Sequence, residues 1–191
     1  MATVLVYVWA IEPNTGRSAV LVPASVLVIL TTWHDLRYRE WGFSWRAFAP
    51  GLWRTLAVTL VAVVLILGAG VALGTLHDRR DFLGSLAPLV LWGGAQQWVL
   101  QTLVLREAQR ASSRARGIVI AAVLFAVLHL PNPLLAPVTG VAALVWCRIY
   151  DRYPNIIPLA LSHGLGTLAL RYAFDEAITG RLRIGAAYLR Q

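Results

Sequence analysis

Three pairs of residues four positions apart could do chemistry inside an otherwise apolar chain: Gln97 with Gln101, Phe125 with His129, and His163 with Thr167. Residues i and i+4 share one face of a helix, so each pair reads as one helix offering its groups in one direction. Gln96 adds a further amide about 100° round the helix from Gln97. An amide or imidazole is costly to place in an apolar span, so it normally has a partner or a function there. Two imidazoles, three amides and a hydroxyl meeting in one cavity would satisfy each other's hydrogen bonds, which lipid cannot do. An imidazole can also take or give a proton near neutral pH. What the runs lack is a carboxylate, since no Asp or Glu lies inside any of them. Zinc sites use about three or four Cys, His or carboxylate ligands. His129 and His163 alone are too few, unless His34 or His77 is brought in from a loop. No metal and no other cofactor is expected.

The elements that must position these groups are membrane helices. Of 191 residues, 58% are hydrophobic and 14% charged, against about 45–50% and about 25% in soluble domains. This composition predicts an all-α, multi-pass transmembrane bundle of about six or seven helices, at roughly 20 residues per crossing. The net charge of +8 comes from 17 basic residues, every one an arginine. They cluster in loops and tails, where they would meet anionic headgroups. No soluble basic module exists to carry nucleic-acid binding, which is excluded. A single cysteine, Cys147, excludes an intrachain disulfide. The first residues lack a basic n-region, so a cleaved signal peptide is not expected.

Residues 1–33 read as N-terminal apolar helices: a short run at 2–11, a turn at 12–16 and a second run at 18–33. Residues 34–51 mix arginine with Trp41, Phe43 and Trp45, the signature of an amphipathic segment at the membrane–water interface. A core at 52–174 follows, with spans at 52–76, 82–105, 117–130, 134–147 and 155–174, and then a polar tail at 175–191. Gly70 and Gly74 form a GxxxG, a candidate close-packing face. Arg106, Arg110, Arg114 and Arg116 read as headgroup contacts and orientation signals. The loops after residues 33, 105 and 147 fall on one face, which the positive-inside rule places in the cytoplasm. Arg181, Arg183 and Arg190 in the tail oppose that assignment.

The order and spacing of these groups resemble the CPBP family, which includes type II CAAX prenyl endopeptidases and bacteriocin-processing intramembrane proteases. The family pattern is Glu-Glu-x-x-x-Arg, then Phe-x-x-x-His, then a later His-x-x-x-Asn or similar. Here Gln96-Gln97-x-x-x-Gln101 occupies the first motif, Phe125-x-x-x-His129 the second and His163-x-x-x-Thr167 the third. The resemblance implies a CAAX-protease-like intramembrane core. Gln96, Gln97, His129, His163 and Thr167 take the catalytic positions, and Gln101 and Phe125 the binding positions. It also implies membrane lipids as surroundings and a membrane-embedded or prenylated peptide, or an isoprenoid, as ligand. The location it suggests is a bacterial cytoplasmic membrane. The departure is chemical. Glutamine cannot take a proton from water, and general-base assistance is worth about 10²–10⁴ in rate. Three functions stay open: a non-proteolytic cavity that binds a membrane peptide or lipid, an active endopeptidase that uses histidine as its base, and a non-hydrolytic enzyme acting on a lipid in the same cavity. A plainer reading of the three glutamines is interhelical glue.

Overall fold

The computed structural model describes residues 21–77 and 82–189. The apolar run at 2–11, the turn at 12–16 and most of the 77–81 loop lie outside the described residues. Helix α1 spans Leu21–Tyr38 and α2 spans Trp45–Leu73. Helix α3, Phe82–Trp98, runs through a π-helical stretch at Val99–Leu105 into α4, Arg106–Ala111. Then come α5 (Arg114–Val127), α6 (Leu135–Arg152) and α7 (Ile156–Ala173). A C-terminal segment holds α8 (Glu176–Thr179), a 3-10 turn (Gly180–Leu182) and α9 (Gly185–Leu189). The described residues are all-α, apart from one isolated bridge between Phe43 and Asn155.

Local chemistry sets the helix ends. Side chains of Ser113 and Asn155 accept from the first free amides of α5 and α7, and Asn132 does the same for α6 through Leu134 and Leu135. Helix α2 stops at Gly74, whose φ of 67° is the left-handed geometry of a C-terminal cap. The Gly70–Gly74 pair therefore splits its work. A Cβ on Gly70 would lie 2.5 Å from the Ala173 carbonyl of α7, whereas one on Gly74 would meet nothing within 4 Å. Of this pair, only Gly70 is a close-packing glycine.

Helix α7 is the spine, with α2 and α3 packed along it and the α5–α6 pair beside them. Its own buried face includes Leu159, Ser162, His163, Gly164 and Leu168. Among the described residues one helix, α2, is long and apolar enough by itself to cross a membrane, and 11% of its most apolar window is buried. The remaining elements fall short of the six or seven spans expected. The π stretch divides α3 from α4, α5 is 14 residues long, and α1 and α6 carry charges in their last turns. The exterior is nonetheless apolar, with Leu60, Val64, Leu91, Val123 and Val141 all more than half exposed.

Both ends of the bundle are tied. At one end Ser44 N–H donates to the Pro154 carbonyl and Ile156 N–H to Gly42, each at 2.9 Å. At the other, His77 N–H donates to the Tyr172 carbonyl at 2.8 Å and the Thr75 hydroxyl to that of Ala173 at 2.7 Å.

The first end differs from expectation. Helix α1 continues past Trp33, so His34 and Asp35 are 1% and 0% exposed rather than lying in a surface segment. Three of the four loop arginines also find carboxylates. Arg106 lies between Glu40 (3.7 Å) and Asp151 (3.5 Å), Arg110 meets Glu40 (3.1 Å) and Glu107, and Arg114 meets Asp151. They staple helix ends together, and Arg116 is left exposed. Apart from Glu107, three positions from Arg110, the partners sit 37 to 70 positions away in the chain, too far for spacing to reveal them as pairs.

Candidate functional site

The three motif helices converge. Gln97 and Gln101 are fully buried. The Gln101 amide nitrogen donates to Gln97 Oε1 at 2.9 Å, and Gln97 Nε2 donates to His163 Nδ1 at 3.4 Å. An amide NH₂ can only donate, so Nδ1 is the acceptor nitrogen of the His163 ring, and Nε2 carries the proton in the neutral form. His129 is set the other way. Its Nδ1 lies 2.7 Å from the Phe125 carbonyl, which can only accept, so His129 Nε2 is the nitrogen with the lone pair. The two imidazoles are thus fixed in opposite tautomers, one presenting a donor and one an acceptor.

Aromatic rings hold them in place. Phe125 touches both, with centroids 4.7 Å from His129 and 6.1 Å from His163. Trp146 stacks on His163 at 5.0 Å and 19°. The Trp146 indole donates to Ser162 Oγ at 3.0 Å, and the Ser162 and Thr59 hydroxyls share a hydrogen bond at 2.6 Å. Gly93 makes room for this arrangement, since a Cβ there would lie 2.9 Å from His163 Cβ.

The imidazoles and the rings around them border one partly open cavity of about 1030 Å³, lined by residues of α1, α2, α3, the π stretch, α5, α6, α7 and the C-terminal segment. Gln96, Phe125, His129, His163 and Thr167 line it. Gln97 and Gln101 do not. They lie behind His163, and Gln101 Oε1 is buried without a hydrogen-bond partner. The offset of about 100° between Gln96 and Gln97 explains the division: one amide faces the cavity and the other faces α7. Gln101 falls in the π stretch, where the Thr102 hydroxyl donates to the Trp98 carbonyl at 2.9 Å. Wider π turns of this kind recur at functional sites.

No carboxylate lines the cavity among the described residues, and among them no three His, Cys, Asp or Glu side chains are grouped to hold a metal ion. The nearest thing to a missed acid is Asp35, which accepts from the Trp98 indole at 2.7 Å while Trp98 itself borders the cavity. Spacing in the sequence does not point to Trp146, Ser162, Thr59 or Asp35. The one available cue is Trp146, because an indole N–H in an apolar helix needs an acceptor.

The fold and site together are a bundle of apolar helices with two opposed imidazoles on the wall of one cavity. Residues 78–169, which contain every motif position from Gln96 to Thr167, match the family described as type II CAAX prenyl endopeptidase Rce1-like. This stretch is therefore similar to the Rce1-like CAAX prenyl endopeptidases, a family that is membrane-embedded. No curated protein and no solved structure matches the chain.

Proposed function

We propose that this chain is an Rce1-like membrane protein whose cavity binds a membrane amphiphile or a membrane peptide without cleaving it. The observation that carries this reading is the state of Gln97. Its amide is engaged on both sides, by Gln101 and by His163, at the position where the family motif has an acid. Among the described residues no carboxylate lies on the cavity wall, so the usual group for drawing a proton from water is missing from them. The wall is instead largely apolar, which suits a lipid, an isoprenoid or an apolar peptide segment.

One observation favours a second reading, hydrolysis with histidine as base. His129 Nε2 has the lone pair to take a proton from water, and His163 Nε2–H is a donor of the kind that steadies an oxyanion. One experiment separates the two. The full chain is reconstituted in liposomes with a prenylated peptide that carries a photoreactive group. Binding without hydrolysis gives cross-links to α7 and a peptide of unchanged mass. A shortened peptide, lost on His129→Ala or His163→Ala, would establish the hydrolase and sink the first reading.

A further inference from the structure

We propose that Arg183 holds the phosphate of an anionic membrane phospholipid at the mouth of the cavity, with an acyl chain of that lipid lying inside. The inference rests on the binding function argued above and names its ligand class. Arg183 is the one charged residue lining the cavity among the described residues. It lies in the C-terminal segment, outside the stretch that matches the Rce1-like family.

Its guanidinium is exposed and makes no hydrogen bond or ion pair with the described residues. Its neighbour Arg181 is paired with Glu176 at 2.9 Å, and Asp175 is taken by His77. Among the described residues, no acid on the cavity wall competes for Arg183 or repels an anion there.

The backbone of Arg183 is anchored. Asn132, fully buried, donates to the Arg183 carbonyl at 3.1 Å and to that of Thr179 at 2.8 Å. Gly185 N–H donates to the Leu130 carbonyl at 2.8 Å. Arg183 is therefore held beside the turn that carries His129, at the end of the bundle where α2 and α7 both stop. For a bundle set in a bilayer this is headgroup depth, where phosphate is the abundant anion and arginine its best-shaped partner.

The cavity also reaches the lipid side. Val28, Leu65, Trp92 and Val141 line it and are at least half exposed on the exterior. An acyl chain can enter between helices without crossing water. Free phosphate would satisfy Arg183 and leave the apolar volume unfilled. A neutral lipid would fill the volume and leave the guanidinium unpaired. A phospholipid with net negative charge does both.

The test reconstitutes the full chain in phosphatidylcholine vesicles doped with phosphatidylglycerol, extracts it in mild detergent and counts retained lipid by native mass spectrometry. Phosphatidylglycerol is expected to stay bound in preference to diacylglycerol with the same chains, and glycerol phosphate is expected not to displace it. Arg183→Glu should weaken retention by about tenfold, Arg183→Lys by less, and Arg181→Glu not at all, with helix content unchanged by circular dichroism. Retention unaffected by Arg183→Glu, or displacement by glycerol phosphate alone, overturns the headgroup site and leaves a cavity that binds apolar chains. A chain that retains no lipid and gives no cross-link to the prenylated peptide overturns both readings.

Discussion

Gln97 and His163 meet across α3 and α7 through one hydrogen bond, amide nitrogen to ring Nδ1 at 3.4 Å. Because that nitrogen can only donate, the bond sets which imidazole nitrogen keeps its proton. A carboxylate at the same place could only accept. Exchanging Gln97 for an acid therefore does more than add a charge, because it turns the donor–acceptor order of the site around.

The consequence is measurable. In Gln97→Glu the ionised side chain requires a proton on His163 Nδ1, which moves the neutral ring from its Nε2–H to its Nδ1–H form. Nitrogen-15 spectra of histidine-labelled protein in detergent distinguish the two tautomers. Gln97→Leu has a different effect. It leaves His163 Nδ1 and the Gln101 amide without their partner, and Gln101 Oε1 already has none. Each orphaned buried group costs about 1–3 kcal/mol, so Gln97→Leu is expected to lower the unfolding temperature clearly. An unchanged His163 spectrum in Gln97→Glu would mean that the hydrogen bond does not govern the ring.

Gly93 tests whether His163 is held by packing as well. Alanine there brings a methyl to 2.9 Å from His163 Cβ and 3.0 Å from Cγ, and overpacking of this kind costs about 1–3 kcal/mol. Gly166 lies on the same helix as His163, but a Cβ there would meet nothing within 4 Å. Gly166→Ala should be neutral or stabilise by up to about 1 kcal/mol through helix propensity. Thermal unfolding of the two variants side by side separates crowding at the site from the general effect of removing a glycine.

What can be read from the residues alone follows from the range of the interaction. The pairing of Gln97 with Gln101 depends on one helix and is visible as a spacing. So is the shared placement of His163 and Thr167 on the cavity wall. The separation of Gln96 from Gln97 follows from the helical period. The burial of Asp35 does not, because it depends on α1 continuing past Trp33 and meeting Trp98, 63 positions along the chain. The π stretch carries no composition signal, since its residues are those of an ordinary apolar helix. The arginines of the basic loop look solvated in the sequence because two of their acids, Glu40 and Asp151, lie far along the chain.

Asp35 supplies a contrast between buried and exposed charge. Its carboxylate is inaccessible, accepts from the Trp98 indole and lies 3.3 Å from His34 Nδ1. Asp35→Ala strands both donors, and breaking a buried pair in this way costs about 3–5 kcal/mol. Arg181 and Glu176 form an ion pair in which both side chains are more than half exposed, so Arg181→Ala should change stability by less than about 1 kcal/mol. Unfolding in detergent should rank the two variants far apart. Near-equal effects would mean that Asp35 is hydrated in the folded protein.

Asn132 joins two structural tasks that substitution can separate. Its Oδ1 accepts from Leu134 and Leu135 N–H, at 3.1 and 2.9 Å, and so starts α6. Its Nδ2 donates to the carbonyls of Thr179 and Arg183 and so clamps the C-terminal segment. Alanine removes both, and the lost cap alone costs about 0.5–2 kcal/mol. Aspartate keeps the acceptor and removes the donors, while placing negative charge against two carbonyl oxygens. Asn132→Asp should therefore preserve exchange protection at the start of α6 and lose it at Gly185, whose amide bonds to Leu130. Asn132→Ala should lose it at both. Hydrogen exchange read by mass spectrometry resolves the two segments. If Asn132→Asp leaves Gly185 protected, the C-terminal segment is held by its apolar contacts, Leu182 and Ile184 among them, and not by this side chain.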